Sequence, residues 1–275
     1  MDPASQRSNV EIEYKNPPIR VRSLEVTTKI SPNEFERLAP SWLQAVVASG
    51  SYPKQQLLQH WDFFVRPDKK GVPVPKGVLR SVPQLSAQSA TGKLSRSIDL
   101  YPPNETETAK IMFTLYRPSK TVTRYTELRG EAGHWLPPFL EIFGVNGFGG
   151  VRLRYDNDLS SQQYPAFWGT KGLELSRVLN FFANNPAPTG EFRPPFRTEL
   201  NLLVDKSVPS YMRTAIVSDI PDKTTLRVTF EYASKHPRFD RTVADCIADA
   251  DRGHALILEH FEKHFTKEAL TAFRQ

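Results

Sequence analysis

The sequence has a single cysteine, Cys246, among its 275 residues. One thiol cannot build an internal disulfide framework, so a hydrophobic core must hold the chain together. Long apolar runs are also missing: none approaches the roughly 18 residues needed to cross a bilayer. The opening MDPASQRSNVEIEY has no apolar centre and does not read as a secretory signal. The expected setting is therefore a reducing cytoplasm, with no membrane attachment. Catalytic motifs are absent as well. Gly147 to Gly150 (GFGG) is too short for a phosphate loop and lacks its Lys-Ser/Thr, so it reads as a tight turn before a strand. Cys246 follows Asp245, and a neighbouring acid raises a thiol pKa, which argues against a nucleophile. No cofactor is expected.

Hydrophobic residues make up 39% and charged residues 24%, the balance of a soluble globular chain long enough to bury a sizeable core. The 23 prolines predict long, stiff connections between short elements. The net charge is +6 and unevenly placed. Residues 1–100 hold 14 Lys/Arg against 9 Asp/Glu, while residues 101–200 hold 11 against 10 and residues 201–275 hold 11 against 11. A basic excess of this kind aids solubility and also attracts nucleic acid or other polyanions.

The clearest local signal is Gly150 to Asn157, GVRLRYDN. Val151, Leu153 and Tyr155 alternate with Arg152, Arg154 and Asp156, the period of a half-buried strand with one cationic face. Asn157-Asp158 reads as its polar exit into a turn. Upstream, Asn16-Pro17-Pro18 punctuates the entry to a strand over 21–30. Ser31, Pro32 and Glu34 then form a helix start of capping-box type. One helix carries Phe35 and Leu38, a second begins after Pro40, and Gly50 stops it. A strand follows over 60–66. Pro67 to Ser89, with Pro73, Pro75, Pro83, Lys69, Lys70, Lys76 and Arg80, reads as a long basic loop.

Residues 94–100 and 110–116 form an antiparallel pair, and 123–143 a helix broken at Gly133 and Pro137-Pro138. Beyond the central strand come a short helix over 170–182, the extended run FRPPFR, and strands over 198–205, 211–218 and 224–232. Asp219 to Lys223 is the turn between the last two. A long helix over 242–265 carries Ile247, His254, Leu258, Phe261 and Phe265 on one stripe. The order predicts an α+β fold, with mainly antiparallel sheet packed by helices and a long C-terminal helix. The expected organisation is an N-terminal extension (1–13), an α+β lobe over 14–145 with the basic loop 67–89, and a second α+β lobe over 146–275. Two similar lobes fit this order, although no residue-level repeat accompanies them.

Three segments carry a resemblance: YKNPPI (Tyr14 to Ile19), the block of Tyr125, Leu136 and Phe139 leading into GVRLRYDN, and HALILEHFEKHFTKE with His254, Phe261, Glu262 and Thr266. Together they resemble a sporadically distributed prokaryotic family of unknown function and about this length. Its members carry a YxNPPI-like start, an LRYxN-like strand and a C-terminal helix with a histidine ahead of a Phe-Glu pair. The family tends to place an acid shortly after PPI, where this chain has Arg20-Val21-Arg22. The family's patchy distribution implies mobile defence or toxin–antitoxin cargo.

Candidate chemistry is sparse. His260 and His264 are helical i,i+4 neighbours, but His254 lies about 240° round the helix and no Cys or carboxylate completes a metal site. His254, Phe261, Asn16, Pro17 and Pro18 therefore read as structural, His254 as a buried, hydrogen-bonded imidazole. Arg152, Arg154, Arg193 and Arg197, with Lys69, Lys70, Lys76 and Arg80, are candidates for phosphate contact; Phe192 and Phe196 could stack on bases. Pairing of these arginines with acids across the sheet is the competing reading. The function expected is a non-enzymatic macromolecule-binding protein of a defence or toxin–antitoxin system, with a protein partner and nucleic acid as a second partner class. The alternative is a metal-dependent nuclease, or another nucleic-acid-processing enzyme, holding Mg²⁺ on Asp156 and Asp158.

Overall fold

The alternation in GVRLRYDN lies at the middle of one wide sheet. A computed structural model describes residues 17–67, 73–103, 108–117, 124–169, 172–184, 197–205, 210–217 and 225–275. Its fold is α+β. The first half runs β1 (Ile19–Thr28), α1 (Pro32–Ala48), β2 (Lys54–Pro67), β3 (Pro73–Gln88), β4 (Leu94–Tyr101), β5 (Ala109–Tyr116) and α2 (Tyr125–Phe143). The second runs β6 (Phe148–Ser160), the two-residue strands β7 (Trp168–Gly169) and β8 (Gly172–Leu173), α3 (Leu175–Val178), α4 (Asn180–Asn184), β9 (Arg197–Asp205), β10 (Ser210–Val217), β11 (Thr225–Ser234), α5 (Val243–His264) and α6 (Lys267–Arg274).

Nine strands form an antiparallel sheet in the order β2-β3-β4-β5-β1-β6-β11-β10-β9. The same path occurs twice. A first strand leads into helices, then into further strands, and the last strand of each half returns beside the first: β5 beside β1, β11 beside β6. A long helix follows each time. The two halves meet where β1 and β6 pair, Leu24 opposite Leu153 and Val26 opposite Val151.

Period-two patterning gives the sheet two unlike faces. Leu24, Val26, Phe113, Ile111, Ile98, Leu153, Tyr155, Phe230 and Tyr232 share one face and are buried there. Helices α2 and α5 cover it, and α1 packs on α2 through the Trp42–Phe139 and Phe35–Phe143 ring contacts, each at 5.8 Å. Helix α5 seats Phe261 on Phe230 at 5.9 Å, with Phe265 at 6.2 Å from the same ring. Helix α6 then turns back, so that Phe273 meets Phe265 and Tyr164. Ile247, Phe261 and Phe265 are buried as the stripe predicts, but Ile257 rather than Leu258 fills the position between them. None of the described helices is long and apolar enough to cross a membrane.

Several boundaries differ from the sequence reading, each for a physical reason. Helix α1 starts at the capping box as expected, Ser31 accepting from the Glu34 amide and Glu34 returning to the Ser31 backbone. It then runs straight through Pro40. Phe35, Ala39, Trp42, Leu43 and Val46 keep one buried stripe in phase across the proline. Burying them outweighs the roughly 3 kcal/mol that an interior proline costs. Helix α2 is unbroken at Gly133 and Pro137-Pro138 for the same reason, with Leu128, Ala132, Trp135, Leu136, Phe139 and Phe143 buried in phase.

Gly147–Gly150 is not a turn. Phe148 to Gly150 already belong to β6, and the missing side chains admit close neighbours: a Cβ on Gly149 would stand 2.5 Å from the Phe239 ring, and one on Gly150 2.6 Å from the Ser234 carbonyl. The expected turn at Asn157-Asp158 is strand as well, with β6 continuing to Ser160. The expected basic loop 67–89 is largely β3, antiparallel to β2 over fourteen register pairs from Lys54↔Ser86 to Pro67↔Pro73. The FRPPFR run and the turn at 219–223 lie outside the described residues, apart from Arg197 at the start of β9.

Because Phe261 touches Phe230, Phe265 and Phe273 and is 3% exposed, Phe261→Ala should destabilise the protein by about 3–5 kcal/mol. Denaturant unfolding followed by circular dichroism measures this. A shift within noise would mean that α5 contributes little to the core.

Candidate functional site

The face opposite the helices is charged. Along β6 it carries Arg152, Arg154, Asp156 and Asp158, an unbroken run of alternate positions. Register brings complementary groups alongside: Glu25 of β1 opposite Arg152, and from β11 Glu231 opposite Arg154, Thr229 opposite Asp156 and Arg227 opposite Asp158. Arg213 of β10 stands opposite Glu231 in turn.

The side chains form a lattice. Arg227 grips Asp158 with two parallel hydrogen bonds, Nε to Oδ1 at 2.7 Å and Nη2 to Oδ2 at 2.9 Å, and Arg20 adds a third at 3.0 Å. Arg154 grips Asp156 in the same forked way at 2.9 and 3.1 Å, and the Thr229 hydroxyl donates to Asp156 at 2.7 Å. Arg152 lies between Glu25 at 3.7 Å and Glu231 at 3.8 Å, while Arg213 reaches Glu231 at 3.9 Å. Burial works against the Arg152 charge, but Glu25, then Glu231 and Tyr211, outweigh it and hold its pKa above the ordinary arginine value.

The two kinds of charge sit at different depths. The carboxylate side chains of Glu25, Asp156, Asp158 and Glu231 are 5–13% exposed, whereas the five arginines are 29–63% exposed. Acids form the floor and guanidinium groups the surface. A forked pair uses two of the five N–H donors of an arginine. Asp156 and Asp158 thus act as counter-ions within this lattice. Both are already neutralised by arginine, a poor starting point for a divalent cation. Among the described residues no three or more of His, Cys, Asp and Glu are grouped to hold a metal.

Of the residues singled out in the sequence, Arg152, Arg154, Asp156 and Asp158 come together here, and Arg197 opens β9 at the sheet edge, in register with Val217 of β10. Lys76 and Arg80 lie on β3, away from this centre. Lys69, Lys70, Arg193 and Asn16 fall outside the described residues. Pro17 and Pro18 are buried at the entry to β1, where the Pro18 carbonyl accepts from the Asp158 amide at 2.9 Å and the Pro17 carbonyl from Arg117. The PPI segment thereby pins the backbone under Asp158. Glu25, Arg20, Arg213, Arg227 and Glu231 were not singled out as site residues. Their signal lay in the alternation of strands β1, β10 and β11, which becomes informative only once strand neighbours are known.

His254 lies on the helix side. Its Nδ1 is 2.8 Å from the Tyr155 hydroxyl and its ring stacks on Tyr125 at 4.1 Å. Burial, with Arg22 nearby, pushes its pKa down to about 4, so the imidazole is neutral. Tyr125 passes the chain on to Asp251, which also binds Arg129. His264 contacts the His260 carbonyl through Nδ1 and packs edge-on against Phe230. Burial pushes the Cys246 thiol up to about 12, which leaves it unreactive. A groove of about 710 Å³ between α2 and strands β3 to β5 is lined by Ser51, Arg96, Glu127, Glu131, His134 and Trp135 among others. Its main charges are spent on each other: Arg96 binds Glu131 at 2.6 Å and the Ser51 carbonyl at 3.1 Å, and Tyr52 donates to Glu131 at 2.7 Å.

No family model and no curated protein matches the chain. A solved structure of the Schizosaccharomyces pombe (S. pombe) Pct1 RNA triphosphatase in complex with the Spt5 CTD aligns over 93% of this chain and 81% of that one, at 8% identity and a TM-score of 0.13. A likeness at that level carries no argument about fold or chemistry.

The charged face also includes a buried acid on β4. Asp99 of β4 is 3% exposed and accepts from Gln84. Burial raises its pKa to about 6, against the lowering effect of hydrogen bonds from Gln84 and Ser97. The folded state thus holds a proton that the unfolded chain releases near pH 4. Stability contributed by this group should be greatest below pH 4 and fall as pH rises towards 6. Asp99→Asn should therefore raise the melting temperature at pH 7.5 and leave it nearly unchanged at pH 4. Thermal melts at the two values check this; an equal shift at both would rule out titration of Asp99 as the cause.

Proposed function

We propose that this chain is a non-enzymatic binding protein whose arginine-bearing sheet face holds an anionic macromolecule, a nucleic-acid backbone. The observation that carries the reading is the layering of the lattice: buried carboxylates brace five half-exposed arginines in fixed positions. Arginine suits phosphate because its planar fork donates two parallel hydrogen bonds. Bracing removes much of the side-chain entropy that binding would otherwise cost. Phosphate contacts carry no base information, so binding should be largely independent of sequence. The resemblance to a sporadically distributed prokaryotic family supports a place in a cytoplasmic defence or toxin–antitoxin system; the identity of the neighbouring gene bears directly on this.

Simple removal of an arginine would leave a buried carboxylate unpaired and cost stability. The informative variant is Arg154→Ala with Asp156→Asn, which removes the cation and its counter-ion charge together. Fluorescence anisotropy against labelled DNA should show affinity falling linearly with log salt, with a slope lower by about one in this variant. Its thermal melt should stay near that of the parent. Absence of binding even at low salt would overturn the reading. So would cleavage of DNA or RNA in Mg²⁺ or Mn²⁺ that disappears in Asp156→Ala, which would restore a nuclease.

A further inference from the structure

An aromatic ring stands within the arginine lattice. On β10, Tyr211 lies two positions before Arg213 and opposite Ala233 of β11, and Ala233 lies opposite Arg152 of β6. Alternation puts all four on the side of the sheet away from the helices. Tyr211 is half-buried. Other tyrosine rings are engaged: Tyr52 packs on Trp135, Tyr125 and Tyr155 on His254, and Tyr164 on Phe273. No ring contact and no cation–π contact involves Tyr211 among the described residues.

Arg152 is held less tightly than Arg154 or Arg227. Its ion pairs with Glu25 at 3.7 Å and Glu231 at 3.8 Å exceed hydrogen-bond length, and its Nε has no hydrogen-bond partner. Its N–H groups thus donate to neither acid. The Tyr211 phenol adds to the hold on its charge, after the two acids.

This approach of phenol to guanidinium sets the pose of the ring. Neighbouring strands lie about 4.8 Å apart, so Tyr211 and Arg152 are rooted about 10 Å from each other with β11 between. A phenol standing upright from the sheet would miss the guanidinium. The two side chains must lean together over Ala233, which is 4% exposed although it sits on the open side. The ring therefore lies along the sheet, one face over Ala233 and the other outward.

We infer that Tyr211 is a stacking platform for an unpaired base, and that the nucleic acid held by the arginine face is a single strand. This deepens the function proposed above and rests on it. An outward ring among guanidinium groups combines the two elements of single-strand recognition, a cationic track for the backbone and an aromatic surface for the bases. Every base has a π-face, so stacking keeps binding largely independent of sequence. In a duplex the bases stack on each other and show only their edges in the grooves. The face is also too broad to enter a groove: β1, β6, β11 and β10 place their outer axes about 14 Å apart, against a major groove about 12 Å wide. A duplex would touch the arginines from outside and leave Tyr211 without a partner. On a single strand, Arg152 at the hydroxyl end of the ring meets the phosphate beside the stacked base.

Fluorescence anisotropy on the full-length protein tests this with three labelled probes: an oligothymidine, a duplex and an abasic strand, all of one length. The parent should bind the oligothymidine more tightly than the duplex at equal salt, although the duplex is the denser line of charge. Tyr211→Ala should weaken oligothymidine binding at least about fivefold and leave the abasic strand within about twofold. Its salt slope should match the parent's, because no phosphate contact is lost. Tyr211→Phe keeps the ring and should stay within about twofold of the parent on the oligothymidine. Should Tyr211→Ala fail to fold, Tyr211→Leu takes its place, with apolar volume but no aromatic face. Equal losses on the oligothymidine and the abasic strand, or a loss in Tyr211→Phe as large as in Tyr211→Ala, would mean that Tyr211 acts only through Arg152 and would overturn the stacking role. A parent that prefers the duplex, or oligothymidine affinity unchanged in Tyr211→Ala, would overturn it too, while leaving the lattice reading intact. A parent that binds none of the three probes would instead overturn the function proposed above.

Discussion

The antiparallel pairing of β1 with β6 is the contact on which the rest of the structure depends. It joins the two halves of the chain into one sheet, across more than a hundred residues of sequence. Its register fixes both faces at once. Leu24 against Leu153 and Val26 against Val151 build the core face; Glu25 against Arg152 builds the charged one. A slip by one residue would exchange these sets, placing arginines under α2 and α5 and leucines in water. Hydrophobic burial on one face thus determines which charges meet on the other. The buried Pro17-Pro18 segment adds a lock at the end of this pairing, through the bond from the Asp158 amide to the Pro18 carbonyl.

The charged face is not simply the solvent side of an amphipathic sheet. A solvated strand face would expose its acids and bases alike. Here the carboxylates lie at the floor and depend on arginine for their compensation, because an unpaired buried charge is expensive. The arginines depend on the acids for position. Two of the acids join arginines from different strands: Asp158 of β6 joins Arg20 of β1 to Arg227 of β11, and Glu231 of β11 joins Arg152 of β6 to Arg213 of β10. The lattice therefore ties together four neighbouring strands. Under the binding function proposed above, this bracing would fix the arginines in place before a ligand arrives.

Much of this was legible in the sequence where one physical signal dominated. Strict alternation located β6 and β11, the capping-box residues located the start of α1, and the apolar stripe located α5. Reading failed where a local rule met a stronger tertiary term. Prolines 40, 137 and 138 argue locally for helix ends, but the in-phase stripes through Trp42 and Phe139 bury enough apolar surface to keep both helices whole. The prolines of β3 suggested a loop because a proline in a central strand is forbidden; at alternate positions on a free edge they are tolerated. Asn157 and Asp158 have turn chemistry, yet Asn157 finds the Val228 carbonyl at 2.8 Å and Asp158 finds two arginines, so both stay in the strand. The site itself was half visible. The arginines of β6 could be read, but their partners lie on strands whose neighbours only the topology reveals.

The two faces are also mechanically connected through β6. Tyr155 stands between Arg154 and Asp156 along the strand but points to the opposite side, where its hydroxyl meets the neutral His254 and the Arg22 guanidinium lies 5.2 Å from its ring centroid. His254 in turn stacks on Tyr125 of α2. The backbone that carries the Arg154–Asp156 fork is thus clamped from behind by side chains of α2, α5 and β1. A neutral imidazole serves this purpose better than a charged one, because a second cation beside the buried Arg22 would be repelled. Low His254 basicity is then a consequence of the same packing that backs the arginine face, with burial the larger cause and Arg22 the second.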